Sequence, residues 1–84
     1  MSNAVIPSYL EIVDFIAAGT TPQSIVDYHP SAAARQRVAE LIALEKEGGL
    51  SPQDRSELDH FLVLEHVLRM AKTRARQILA NGSR

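Results

Sequence analysis

Glu45-Lys46-Glu47-Gly48-Gly49-Leu50-Ser51-Pro52-Gln53-Asp54 is the stretch on which the fold turns. Glycine closes a helix cheaply because it lacks the Cβ that makes the left-handed region costly, and Ser51, Pro52 and Asp54 carry the signature of a new helix start. So short a connection folds the flanking helices back on each other. Upstream, residues 32–47 abound in Ala, Arg, Gln, Glu, Leu and Lys, all strong helix formers. Val38, Leu41, Ile42 and Glu45 mark one face of that segment, and Ser31 is placed to cap it. Downstream, a helix over about residues 52–80 would reach ~40 Å at ~1.5 Å per residue, so its far end extends past its neighbour.

The residues before Pro30 must supply the missing cover. Ser8 followed by Glu11 is an S-x-x-E capping box, and apolar positions at Ile12, Val13 and Ile16 predict a helix over 9–18. Gly19 suits the left-handed residue that ends it. Thr21 and Pro22 then cap and start a short helix over 22–27, which Tyr28-His29-Pro30 terminates because proline disfavours the helical region for its predecessor. The expected architecture is all-α: one domain over residues 1–84, with short N-terminal helices packed on a long antiparallel helical hairpin.

Composition narrows the class. A chain of 84 residues has a thin margin of buried surface, and with aromatic content of 5% its core must come from Leu, Ile, Val and Ala. There is no cysteine, so neither a disulfide framework nor a thiolate zinc site is available, and a cytoplasmic location is expected. No signal-peptide pattern and no run of about 18 apolar residues is present, which predicts no membrane association. Net charge is −1 but unevenly spread: residues 1–68 carry all ten acids and four bases, whereas residues 69–84 carry five bases and no acid. Cations in that position complement a helix C-terminus, so nucleic acid is a weaker expectation than dipole complementation.

The long helix holds more apolar residues than one face needs. Leu58, Phe61, Leu64, Val67, Leu68, Ala71, Ala75, Ile78 and Leu79 fall on one broad arc at about 100° per residue and are expected to face the core. Leu62, Val63 and Met70 fall outside it, among Asp59, His66, Thr73 and Gln77. An apolar patch with a polar rim is an interaction surface by expectation, so Leu62, Val63, His66 and Met70 are the candidate partner-binding residues. Asp59 and His66 would form a polar edge beside Leu62 and Met70. Arg69, Lys72, Arg74 and Arg76 are the candidate basic patch, joined by Arg84 at the terminus. An isologous contact through the long helix, giving a homodimer, would bury the same strip.

The string at 45–54, with Glu57-Leu58-Asp59-His60, Leu64-Glu65-His66 and Met70-Ala71-Lys72-Thr73-Arg74-Ala75-Arg76, resembles a group of small all-helical bacterial proteins regarded as antitoxin-like partners encoded beside nucleases. The likeness also takes in Tyr9-Leu10-Glu11-Ile12 and the stretch from Phe15 to Pro22. It implies a protein that masks a toxin or nuclease by occupation, and it brings no active-site residues to transfer.

Signals for chemistry are sparse. Glu57-x-x-His60 has the spacing of a di-iron ligand pair, but such sites need a second copy of the motif and two further glutamates, so no metal or cofactor is expected. Ser8, Ser31 and Ser51 are accounted for by N-caps, and Gly48-Gly49 lacks the lysine of a phosphate loop. No enzyme is expected. The functional expectation is a non-catalytic protein-interaction module; the alternative is a homodimeric DNA-binding regulator in which residues 20–34 form helix, turn, helix and Arg35 and Arg37 approach the duplex.

Overall fold

The computed structural model describes residues 6–82, and among them every regular element is a helix: α1 (Leu10–Ala17), α2 (Pro22–Asp27), α3 (Ala32–Lys46) and α4 (Pro52–Gly82). Arg84, counted above with the basic tail, lies outside the described residues.

Capping chemistry sets most of the boundaries. Gly48 has φ of 77°, the Gly49 N–H donates to Leu44 O at 2.9 Å and the Gly48 N–H to Glu45 O at 3.1 Å, which is the paired bonding of a Schellman closure. Ser51 Oγ then accepts from the Asp54 N–H at 3.0 Å and starts α4. At α2, Thr21 and Ser24 cap each other reciprocally with Pro22 in the first turn, and Gly19 ahead of them has φ of 96°. Ser31 caps α3 by accepting from the Ala34 N–H at 3.0 Å.

One expected cap does not form. Tyr9, in helical conformation and with no side-chain capping bond among the described residues, holds the N-cap position of α1, while the Ser8 hydroxyl is buried. Glu11 instead reaches across to α3, accepting from the Ser31 N–H at 2.9 Å and from the Ser31 hydroxyl. The carboxylate gains more at the positive end of the longer helix than in its own first turn, because it bonds to a cap and faces unsatisfied N–H groups together.

Ile12, Val38, Leu41, Leu58, Phe61 and Leu68 form the core, with Tyr9, Phe15, Tyr28, Leu50 and Leu64 packed around it. The first half of α4 is tied to α3 by Arg37 with Asp54 and Glu57 and by Glu45 with Arg55. Its second half is covered by α2, which, though short, makes the more extensive contact with α4. Small side chains allow this approach: Ala75 is buried, and Ala71 and Ala75 border a shallow cleft with Pro22 and Ile25. The Lys72 ammonium donates to the Tyr28 carbonyl at 2.7 Å, satisfying an acceptor at the C-terminal end of α2.

The core arc of α4 is narrower than its apolar pattern. Val67 and Ile78 were expected inside it, yet are 44% and 50% exposed, and Ile42 on α3 is also open. Short helices cover a strip only about as wide as their own few apolar side chains, so residues at the edge of the arc stay in water.

Candidate docking surface on the fourth helix

Val63, Val67 and Met70 follow one another at spacings of four and three residues, with Arg74 four further on, so they share one side of α4. All three apolar members are exposed, Val63 most at 62%. His66 and Asp59 lie within the same half of the helix surface, and Leu62 marks its rim, about 80–140° from the stripe.

The surface continues onto α1. Tyr9 and Val13 face His60, Val63 and Leu64 across an almost wholly apolar groove of about 530 Å³. The Tyr9 and His60 rings stack with centroids 5.0 Å apart, which brings the start of α1 against α4. Ile16, one turn beyond Val13, is half exposed as well. The apolar surface therefore extends from Val63 to Val13 where sequence periodicity indicated one strip on α4. Val13, Ile16 and Val67 were missed because each fits a core position on its own helix; the four-three spacing of Val63, Val67 and Met70 was the available signal.

The four expected partner-binding residues, Leu62, Val63, His66 and Met70, are all exposed. The expected basic patch is divided. Arg69, Lys72 and Arg76 lie within about 60° of one another around the axis, whereas Arg74 is about 140–160° from Arg69, Lys72 and Arg76 and falls on the apolar stripe. Arg69 pairs with Glu65 at 3.3 Å, Lys72 is engaged by Tyr28, and Arg74 donates to Gln77 Oε1.

Other charged groups are bound within the fold. Arg37 Nη2 lies 3.0 Å from Glu57 Oε1 and 3.1 Å from Asp54 Oδ1, and the Ser8 backbone N–H donates to Glu57 Oε2 at 2.9 Å. Burial opposes ionisation of Glu57, but the hydrogen bonds from Arg37 and from Ser8 prevail and hold its carboxyl below the ordinary value. Hydrogen bonds from Ser31, side chain first and backbone second, likewise lower that of Glu11. Arg35 donates to the Pro30 carbonyl at 3.0 Å. Arg35 and Arg37, the arginines considered for contact at the start of α3, thus each bond within the fold.

The Glu57-x-x-His60 pair is split between different tasks. Glu57 serves Arg37, while the His60 Nδ1–H donates to Ser56 O at 2.6 Å and the ring stacks on Tyr9. Among the described residues no group of three or more acidic or histidine side chains is arranged to hold a metal ion. No helix there is long and apolar enough to cross a membrane. Comparison with protein-family models, curated proteins and solved structures finds no match for the chain.

Proposed function

We propose that this chain is a non-catalytic protein-interaction module whose docking surface is the apolar face of α4 and α1. In this reading α3 and α4 act as an antiparallel hairpin scaffold, the N-terminal helices brace it, and the outer side of α4 is left for another protein chain. The observation that carries the reading is the exposure of Val63, Val67 and Met70 in one stripe, with Val13 lining a groove beside Val63. An apolar stripe with Asp59 and Arg74 toward its two ends and His66 beside it is what a protein contact needs: area to bury at the centre and polar groups at the edge. The DNA-binding alternative has less support, because Arg35, Arg37 and Lys72 are held by partners inside the fold.

The test is a photo-crosslinking residue placed at Val63 or Met70, with Glu40 on α3 as the control position, irradiated in an extract of the source cells. One defined polypeptide joined at Val63 and Met70 but not at Glu40 is expected. Absence of an adduct, or the same adducts at Glu40, would overturn the reading.

A further inference from the structure

Resting on that reading of the face, we infer that its occupant is a second copy of this chain, bound with the two α4 helices antiparallel and centred between His66 and Val67. The stripe carries one charge of each sign, Asp59 toward its start and Arg74 toward its end, about 22 Å apart along the axis at ~1.5 Å per residue. Neither is in an ion pair among the described residues, and Arg74 bonds only to the neutral Gln77 side chain.

In an antiparallel two-fold contact centred between His66 and Val67, Asp59 of one copy faces Arg74 of the other, and the pair occurs twice by symmetry. Val63 then lies opposite Met70, so that a small and a large apolar side chain interlock at each end of the centre. Other alignments fail on charge. A parallel pair sets Asp59 against Asp59 and Arg74 against Arg74, and a shift of the antiparallel register by one turn sets Asp59 against Ile78 and Arg74 against Val63 in one direction, or Asp59 against Met70 and Arg74 against Arg55 in the other. Stable interfaces bury about 800 Å² on each partner, more than a stripe of three side chains offers, so Tyr9 and Val13, which line the groove beside Val63, belong to the contact as well.

Sedimentation equilibrium on the purified chain across a concentration series tests this. The intact chain sediments at twice its monomer mass. Asp59→Arg and Arg74→Asp, taken singly, each weaken association about tenfold by setting like charges opposite, and the double reversal restores it. Both residues are on the surface, and far-UV circular dichroism confirms that the variants remain helical. A monomer at every concentration overturns the inference, as does a dimer indifferent to both reversals. If the chain is monomeric while Val63 still crosslinks to a different polypeptide, the second-copy inference falls and the docking reading stands.

Discussion

Glu57 is the residue at which the most separate parts of the chain meet, since it accepts from the Ser8 backbone and pairs with Arg37 on α3. Its lowered carboxyl pKa has a definite consequence for stability. A carboxyl whose folded pKa lies below its unfolded one contributes stability above the unfolded value, and the contribution is lost as pH falls toward and through the folded value. Glu11 behaves in the same way. Thermal unfolding followed by circular dichroism is therefore expected to show a constant midpoint near neutrality and a decline once pH drops below the ordinary carboxylate range. Glu57→Gln should cost about 1–2 kcal/mol at pH 7 and flatten that decline, because the neutral amide keeps only part of the arginine bonding. Tyr28 makes the opposite case. Its ring stacks on Phe15 at 4.3 Å, but its hydroxyl is buried with no hydrogen-bond partner among the described residues, and burial pushes the phenol pKa up, with Glu11 adding to the rise. Tyr28→Phe keeps the stack and removes the unpartnered group, so the unfolding midpoint is expected to hold or to rise by up to about 1 kcal/mol equivalent.

Helix ends and helix faces follow different rules in this chain. The ends are local: Gly48 is left-handed, and Gly48→Ala should destabilise by about 1–2 kcal/mol, whereas Gly49→Ala should be close to neutral, since its Cβ would meet only Leu44 at ordinary contact distance. Denaturant titration of the two variants separates the conformational effect from loss of glycine as such. Faces depend on what lies opposite. Ala75 is 2% exposed beneath α2, so Ala75→Leu should cost about 1–3 kcal/mol by forcing α2 away. Val67→Ala, by contrast, should change monomer stability by less than about 0.5 kcal/mol, although both positions fit the same apolar arc. The difference is set by the width of α2 and α1, a quantity absent from the periodicity of α4.

On the scale of the whole molecule, the proposed pairing of two copies would couple folding to association, and the unfolding midpoint is then expected to rise with protein concentration. Met70→Asp should abolish that dependence while leaving helical content unchanged, a comparison that calorimetry at two concentrations would decide. Much of the helical pattern could be read in the sequence because caps are contacts between residues a few positions apart: Thr21 with Ser24, Ser31 with Ala34, Gly48 and Gly49 with the last turn of α3, Ser51 with Asp54. The exception, Ser8 with Glu11, arose where a more distant helix end offered Glu11 a better partner. The exposed site was partly readable, since Leu62, Val63, His66 and Met70 stand outside any single core arc. Val13 and Val67 joined it only when the helices took their places, whereas the separation of Arg74 from Arg69, Lys72 and Arg76 was already present in their spacing. Local hydrogen bonding is written in residue spacing, so the sequence alone determined where most helices start and stop. Burial is a relation between surfaces distant in the chain, so only the tertiary structure decided which apolar residues became core and which remained exposed.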